Sequence, residues 1–266
     1  MNIIALVTIT LASIVDIQKR EVPDILSYGL IVIGFLLAIL SFSLVRVLES
    51  VFGFVIAFII GYSMYKTRQW GGGDAKLLMG LGSLLGMSWK TISFFPILIV
   101  NILIAGAVYG IFWLIGLYIK HFKKTNIILK KELAKKKKER RLVLVCSLLF
   151  VLIAFFSSFT LLFAGFALLI LFAFYGLLLS KIIEDIAFYK KITPDKLTEG
   201  DWIVEDVTIG NEKISKNNPG LTKKQIALLK KRGKKVLIKE GIPFVPSFLL
   251  GYILTLIYGS WFWIVF

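Results

Sequence analysis

Apolar residues in this chain run in long blocks rather than alternating. Eight stretches read as membrane spans: 2–16, 25–44, 49–65, 74–88, 93–119, 142–158, 160–181 and 242–266. The segments between them are rich in Lys, Arg, Gly and Pro. A helix needs about 20 apolar residues to cross a bilayer, and 2–16 and 74–88 are short by that measure. The sequence "FSSFT" at 156–160 reads as a turn that folds 142–181 into a helical hairpin. If that hairpin lies at the surface, the count falls to six. The first stretch lacks a basic leading region and runs straight into Asp16, so it reads as a first span, not a removable leader. Within the polar stretch 182–240, "DWIVEDVTI" and "KVLIKEG" read as short strands. Residues 220–233 read as a short helix. Thr222 and Gln225 have the spacing of a capping box there, and Gly233 supplies the stop.

Composition agrees. Of 266 residues, 58% are hydrophobic and 18% charged, which matches a polytopic membrane protein and not a soluble domain. The expected fold is therefore all-α: a bundle of about eight, and at least six, transmembrane helices with a small cytosolic α+β appendage. The organisation expected is a core over 1–119, a basic loop over 120–141, the hairpin 142–181, a cytosolic segment 182–240 and a last helix within 241–266.

Charge sets the orientation. The net charge is +16, and 30 of the 32 Lys and Arg residues fall in 17–24, 66–76, 120–141 and 181–240. Only Arg46 and Lys90 lie elsewhere. By the positive-inside rule these four segments are cytosolic and the N-terminus is outside. The bases flank apolar spans, so anionic lipid headgroups, not nucleic acid, are their expected counter-charge. One cysteine (Cys146) and one histidine (His121) leave no multi-thiolate metal site and make a His-based triad improbable. No metal or cofactor is expected.

This topology brings two carboxylates to one depth. Asp16 ends span 1 on the inside, and Asp74 begins span 4 on the same side. Ionisable groups near a bilayer interior default to functional hypotheses. Two carboxylates in contact would share a proton. The ionised one can activate water while the protonated one polarises a carbonyl and later supplies a proton. Before Asp74 stand Gly71, Gly72 and Gly73, which let the backbone approach a peptide substrate closely and adopt positive φ. The small-residue spacing of "GSLLG" (82–86) would let span 4 pack closely, in the direction of span 1. A purely structural reading is equally open on these grounds. Asp74 would then be a helix cap, and Asp16 an interfacial charge paired with Lys19 or Arg20.

The strings "DIQKREVPD" (16–24) and "GGGDAKLL" (71–78) resemble the paired motifs of the GxGD membrane aspartyl proteases of the type IV prepilin peptidase family, and most nearly its archaeal prepilin and preflagellin branch. The first motif is matched by Asp16, Lys19, Arg20, Val22 and Pro23, the second by Gly71, Gly73, Asp74 and Lys76. The segments 94–107 and 240–253 also look like family segments, whereas 121–219 resembles it poorly. The resemblance implies catalytic Asp16 and Asp74. It also implies an endopeptidase that removes the short basic leader of prepilin-like or preflagellin precursors, after a small residue at the cytosolic face of the plasma membrane. The cysteine-rich domain of methylating bacterial relatives is absent, so peptidase activity alone is expected. The tyrosine-aspartate motif of presenilin-like proteases is also absent, since Val15 precedes Asp16.

Around this pair, Lys76 is expected to tune Asp74 or meet a lipid phosphate, and Asp24 to cap the helix at Pro23 or position substrate. Pro243 and Pro246 are expected to shape the start of the last span, and Asn101 to bond between helices. A carboxylate-dependent ion or proton transporter and a basic membrane scaffold are the competing functions.

Overall fold

The computed structural model describes residues 1–89, 93–209, 212–218, 220–233 and 235–259. Lys90 and residues 260–266, the end of the expected last span, lie outside the described residues. The first helix, α1 (Asn2–Lys19), is uninterrupted by Gly or Pro and stops where Arg20 turns left-handed at φ 58°. Pro23 then disfavours helical backbone at Val22 and opens α2 (Asp24–Leu40). Ser43 caps α3 (Leu44–Lys66) by accepting a hydrogen bond from Arg46 N–H. A tight turn through Arg68 leads to α4 (Gly72–Leu85), which ends at Gly86 with φ 71°. Helix α5 (Phe94–Lys120) carries Pro96 in its first turn, where a missing N–H costs nothing.

The chain divides into two compact units, residues 1–111 with 191–266, and residues 112–190. The first has α4 at its centre. Leu77, Leu78, Leu81 and Leu84 are all fully buried, so α4 buries its surface on several sides at once, as a core helix does. Small residues make this possible. A Cβ on Gly53 would lie 2.3 Å from Gly82 O, and one on Gly34 would lie 2.6 Å from Leu84 N. The 82–86 stripe thus packs α4 against α3 and α2, not against α1 as its spacing first suggested. At its far end, Arg46 donates to the carbonyls of Leu84 (2.5 Å) and Leu85 (2.8 Å), two groups that the helix terminus leaves without partners.

The last helix of this unit, α10 (Val245–Tyr258), packs on α1 and α5. Tyr252 donates to Asn2 O at 3.1 Å, and Asn101 on α5 donates to Thr255 Oγ1 at 3.0 Å, the interhelical role expected for Asn101. Between α5 and α10, residues 191–240 build a small module around its own core of Ile203, Ile214, Leu229 and Ile238. The strands are β1 (Tyr189–Ile192), β2 (Trp202–Ile203), β3 (Val207–Ile209), β4 (Glu212–Ile214) and β5 (Val236–Lys239). They form a sheet of order β1-β5-β2 and an antiparallel β3–β4 pair. The stretch expected as one strand over 201–209 is therefore two, in different sheets. Helix α9 (Lys223–Arg232) has the Thr222–Gln225 capping box and the left-handed Gly233 that its sequence indicated.

The second unit is helical. The basic stretch 120–141 is not a loop: it forms α6 (Phe122–Lys135) and the first turn of α7 (Lys137–Phe156). Its Lys and Glu content favours helix when no Gly or Pro interrupts it. Ser157–Phe159 turn the chain into α8 (Thr160–Ala187). Ser147 reaches Ala167 O across this hairpin at 3.3 Å, and Phe150 packs on Phe163 and Phe166.

Candidate active site

Asp16 lies in the last turn of α1 and Asp74 in the first turn of α4. Both are buried, at 5% and 8% exposure, and each carboxylate lies within the other's electrostatic reach. The approach comes from the α1–α2 connection. A Cβ on Gly73 would stand 2.8 Å from Val22 Cβ, so only glycine lets that connection press against the start of α4. None of Gly71, Gly72 and Gly73 takes a positive φ; Gly71 sits at −70° and Arg68 makes the left-handed turn instead. The glycines serve close approach here, not unusual backbone. Gly72 has the most room, with Tyr65 at ordinary contact distance.

Backbone N–H groups hold both carboxylates, with Phe244 as well as Val245 directed at Asp16. Gly71 N–H donates to Asp74 Oδ2 at 2.9 Å, across the first turn of α4. Val245 N–H, at the start of α10, donates to Asp16 Oδ2 at 2.9 Å. That contact replaces the expected pairing of Asp16 with Lys19 or Arg20. Arg20 is drawn instead to Glu240 in an ion pair and to Gly241 O at 3.4 Å. One turn before Asp16, Ser13 Oγ bonds Ile9 O at 2.7 Å and reaches Val245 O at 3.3 Å. Helix α1 thus grips both polar groups of Val245. The last helix's role was not visible in sequence, because its contribution is a main-chain N–H that any residue but proline could supply.

The flanking residues settle differently from expectation. Pro23 is the residue before α2, and its carbonyl receives Leu26 N–H at 3.0 Å. Asp24 makes no cap. It pairs with Lys76 at 2.7 Å, and the Lys76 ammonium also lies 4.9 Å from the centre of the Tyr28 ring. Lys76 does not meet Asp74: the pair ties the start of α2 to the start of α4. Half-exposed pairs are worth about 0.2–1 kcal/mol. A double-mutant cycle of Lys76→Ala and Asp24→Ala is therefore expected to give a coupling in that range, read from thermal unfolding in detergent. Zero coupling would remove the tie.

In the polar module, burial pushes the Asp201 carboxyl above its usual range despite a 2.8 Å bond from Thr198 N–H, and Glu21 and Glu240 push it the same way. Carboxylates from the α1–α2 connection and the module therefore share one locality. Among the described residues, no group of three or more His, Cys, Asp or Glu side chains is placed to hold a metal ion.

This is a mostly helical, polytopic protein of the membrane class. Among the described residues, four helices (α1, α3, α5 and α8) are long and apolar enough to cross a bilayer, α2 and α10 are shorter apolar helices, and a buried carboxylate pair lies between α1 and α4. Residues 3–115 match the model of the type IV leader peptidase family. Three curated relatives align with the chain, all archaeal preflagellin peptidases. That of Methanococcus voltae is 43% identical over 86 residues, covering 31% of this chain and 36% of the relative. Those of Methanocaldococcus jannaschii and Methanococcus maripaludis are 33% and 40% identical, each over 31% of this chain and 37% of the relative. The chain thus spans just over a third of the length of the relatives it matches.

Proposed function

We propose that this chain is an intramembrane aspartyl endopeptidase that removes the short leader of type IV prepilin-like precursors, with Asp16 and Asp74 as its catalytic pair. The observation that carries the reading is two buried carboxylates from separate helices within each other's field, each held from the backbone. The family match over 3–115 includes both. The ionised carboxylate takes a proton from water as the oxygen attacks the scissile carbonyl carbon. The protonated carboxyl hydrogen-bonds the carbonyl oxygen as negative charge builds there. Collapse of the tetrahedral intermediate breaks the C–N bond, and a proton passes to the leaving amine.

Eight helices cross the membrane in this reading, with the N-terminus outside and both aspartates towards the cytosol. Helix α4 has 14 residues and so rises about 21 Å, against a hydrocarbon core of about 30 Å. Its first turn therefore lies below the headgroups, level with the membrane-embedded end of a precursor's hydrophobic helix. Glu21 and Asp201 add carboxylates on the cytosolic side in this reading, the complement of a basic leader, while Glu240 is already paired with Arg20. All three relatives are named preflagellin peptidases, which favours archaellin-type precursors among the prepilin-like class. Anionic lipids are proposed as partners of α7. Lys137, Lys138, Arg140 and Arg141 line a shallow cavity of about 540 Å³ whose other wall is Leu144, Val145 and Leu148. That pairing suits a phosphate head above an acyl chain.

The test is cleavage of a tagged preflagellin and a tagged prepilin in membranes carrying the wild-type chain or Asp16→Asn. A shortened product from the wild type alone, with its new N-terminus just after the leader, is the expected result. Equal product from Asp16→Asn would end the proposal.

A further inference from the structure

The two donors that hold the aspartates sit next to two aromatic residues, and those aromatics touch. Trp70 precedes Gly71, and Phe244 precedes Val245. The Trp70 ring lies 5.6 Å from Phe244 and 5.4 Å from Phe248, and Phe244 meets Phe248 edge-on at 6.0 Å. Trp70 and Phe248 are buried. The Phe244 ring is seated by a glycine: a Cβ on Gly106 of α5 would come within 2.6 Å of Phe244 Cζ. A continuous chain of contacts therefore runs from Asp74 through Gly71, Trp70, Phe244 and Val245 to Asp16.

We propose that Trp70 and Phe244 are positioning residues: their touching, tilted rings set the separation of the two loops whose N–H groups hold Asp74 and Asp16. The last helix, which lies outside the family-matched stretch, is thereby part of the active site. The inference rests on the endopeptidase reading above and adds a component to it. Rings are suited to the task because a large rigid surface fixes distance with few rotamers. Geometry of this kind governs rate, since a misplacement of about 1 Å can cost about 10²-fold.

The experiment uses the full chain in membranes, with kcat and KM measured on the precursor. Trp70→Ala and Phe244→Ala are each expected to lower kcat by about 10- to 100-fold with KM nearly unchanged. The double variant should lose little more than the worse single one, because both break one bridge. Trp70→Phe, which keeps an aromatic face, should recover most of the lost rate. Wild-type kcat in both alanine variants, or fully additive losses, would overturn the bridge. Gly106→Ala guards against a folding defect: its methyl meets the Phe244 ring while the ring cluster stays intact. It should also lower kcat. Wild-type kcat in Gly106→Ala likewise overturns it. A second readout does not need activity. Asp16→Cys and Asp74→Cys in a Cys146→Ser background are joined with a short bis-maleimide, and the yield should fall by half or more when Trp70→Ala is added. An unchanged yield overturns the bridge whatever the substrate. Failure of the wild type to cleave, with the yield still dependent on Trp70, would count against the endopeptidase reading alone.

Discussion

Asp74→Asn is expected to slow precursor cleavage by about 10²–10⁴-fold while the protein still folds and inserts. The asparagine keeps an oxygen where Asp74 Oδ2 accepts Gly71 N–H at 2.9 Å, so the first turn of α4 keeps its anchor. What it cannot do is exchange a proton with water or with the carbonyl oxygen of a substrate. Asp74→Ala separates the two roles. It removes the acid and also strands the Gly71 N–H, at a further cost of about 1–3 kcal/mol in stability. The pair of variants should therefore be equally inactive yet unequal in thermal unfolding measured in detergent. If Asp74→Asn cleaves at the wild-type rate, the carboxylate is only a helix anchor. The capping interpretation of the sequence would then be the whole account.

The second large effect is in packing. Gly82→Ala would place a methyl 2.4 Å from Gly53 O and 2.7 Å from Ala57 Cβ, and Gly53→Ala would place one 2.3 Å from Gly82 O. The nearest obstacle in each case is backbone of the facing helix, which has no rotamer by which to move aside. Helices α3 and α4 must separate, and overpacking of this kind costs about 1–3 kcal/mol. Each variant should lower the unfolding midpoint. Together they should cost less than the sum, since the first methyl already opens the seam for the second. Cleavage should fall too, because α4 carries Asp74 at the end of that seam. An unchanged midpoint in either single variant would show that the seam is not this tight.

Much of the helical framework was legible in the chain. Long apolar blocks must become helices if they are to lie in lipid, because no other unclosed structure satisfies every backbone group there. That constraint is local, so the eight apolar blocks reappear as α1–α5, α7, α8 and α10. The α9 cap was legible for the same reason, since Thr222, Gln225 and Gly233 act within their own turn. The basic stretch 120–141 was misjudged because its charge was weighed and its helix propensity was not. Lys, Glu and Arg in water form helix as readily as loop when nothing breaks the chain.

Of the site, the sequence by itself determined the candidate pair, Asp16 and Asp74, because spans and charge counting put both at one side of a membrane. It also set three glycines before Asp74, for which close approach to a substrate and positive φ were the readings open to it. Only the tertiary structure decided what those residues touch. It turned the glycine stripe of α4 towards α3 and α2, pressed Gly73 against Val22, sent Lys76 to Asp24 and Arg20 to Glu240, and brought Val245 N–H to Asp16. The physical reason is the same in each case. A hydrogen bond from a main-chain N–H 229 residues away, or a missing Cβ that admits a neighbour, leaves no periodicity and no motif in the sequence. Such contacts exist only once the helices have chosen their partners.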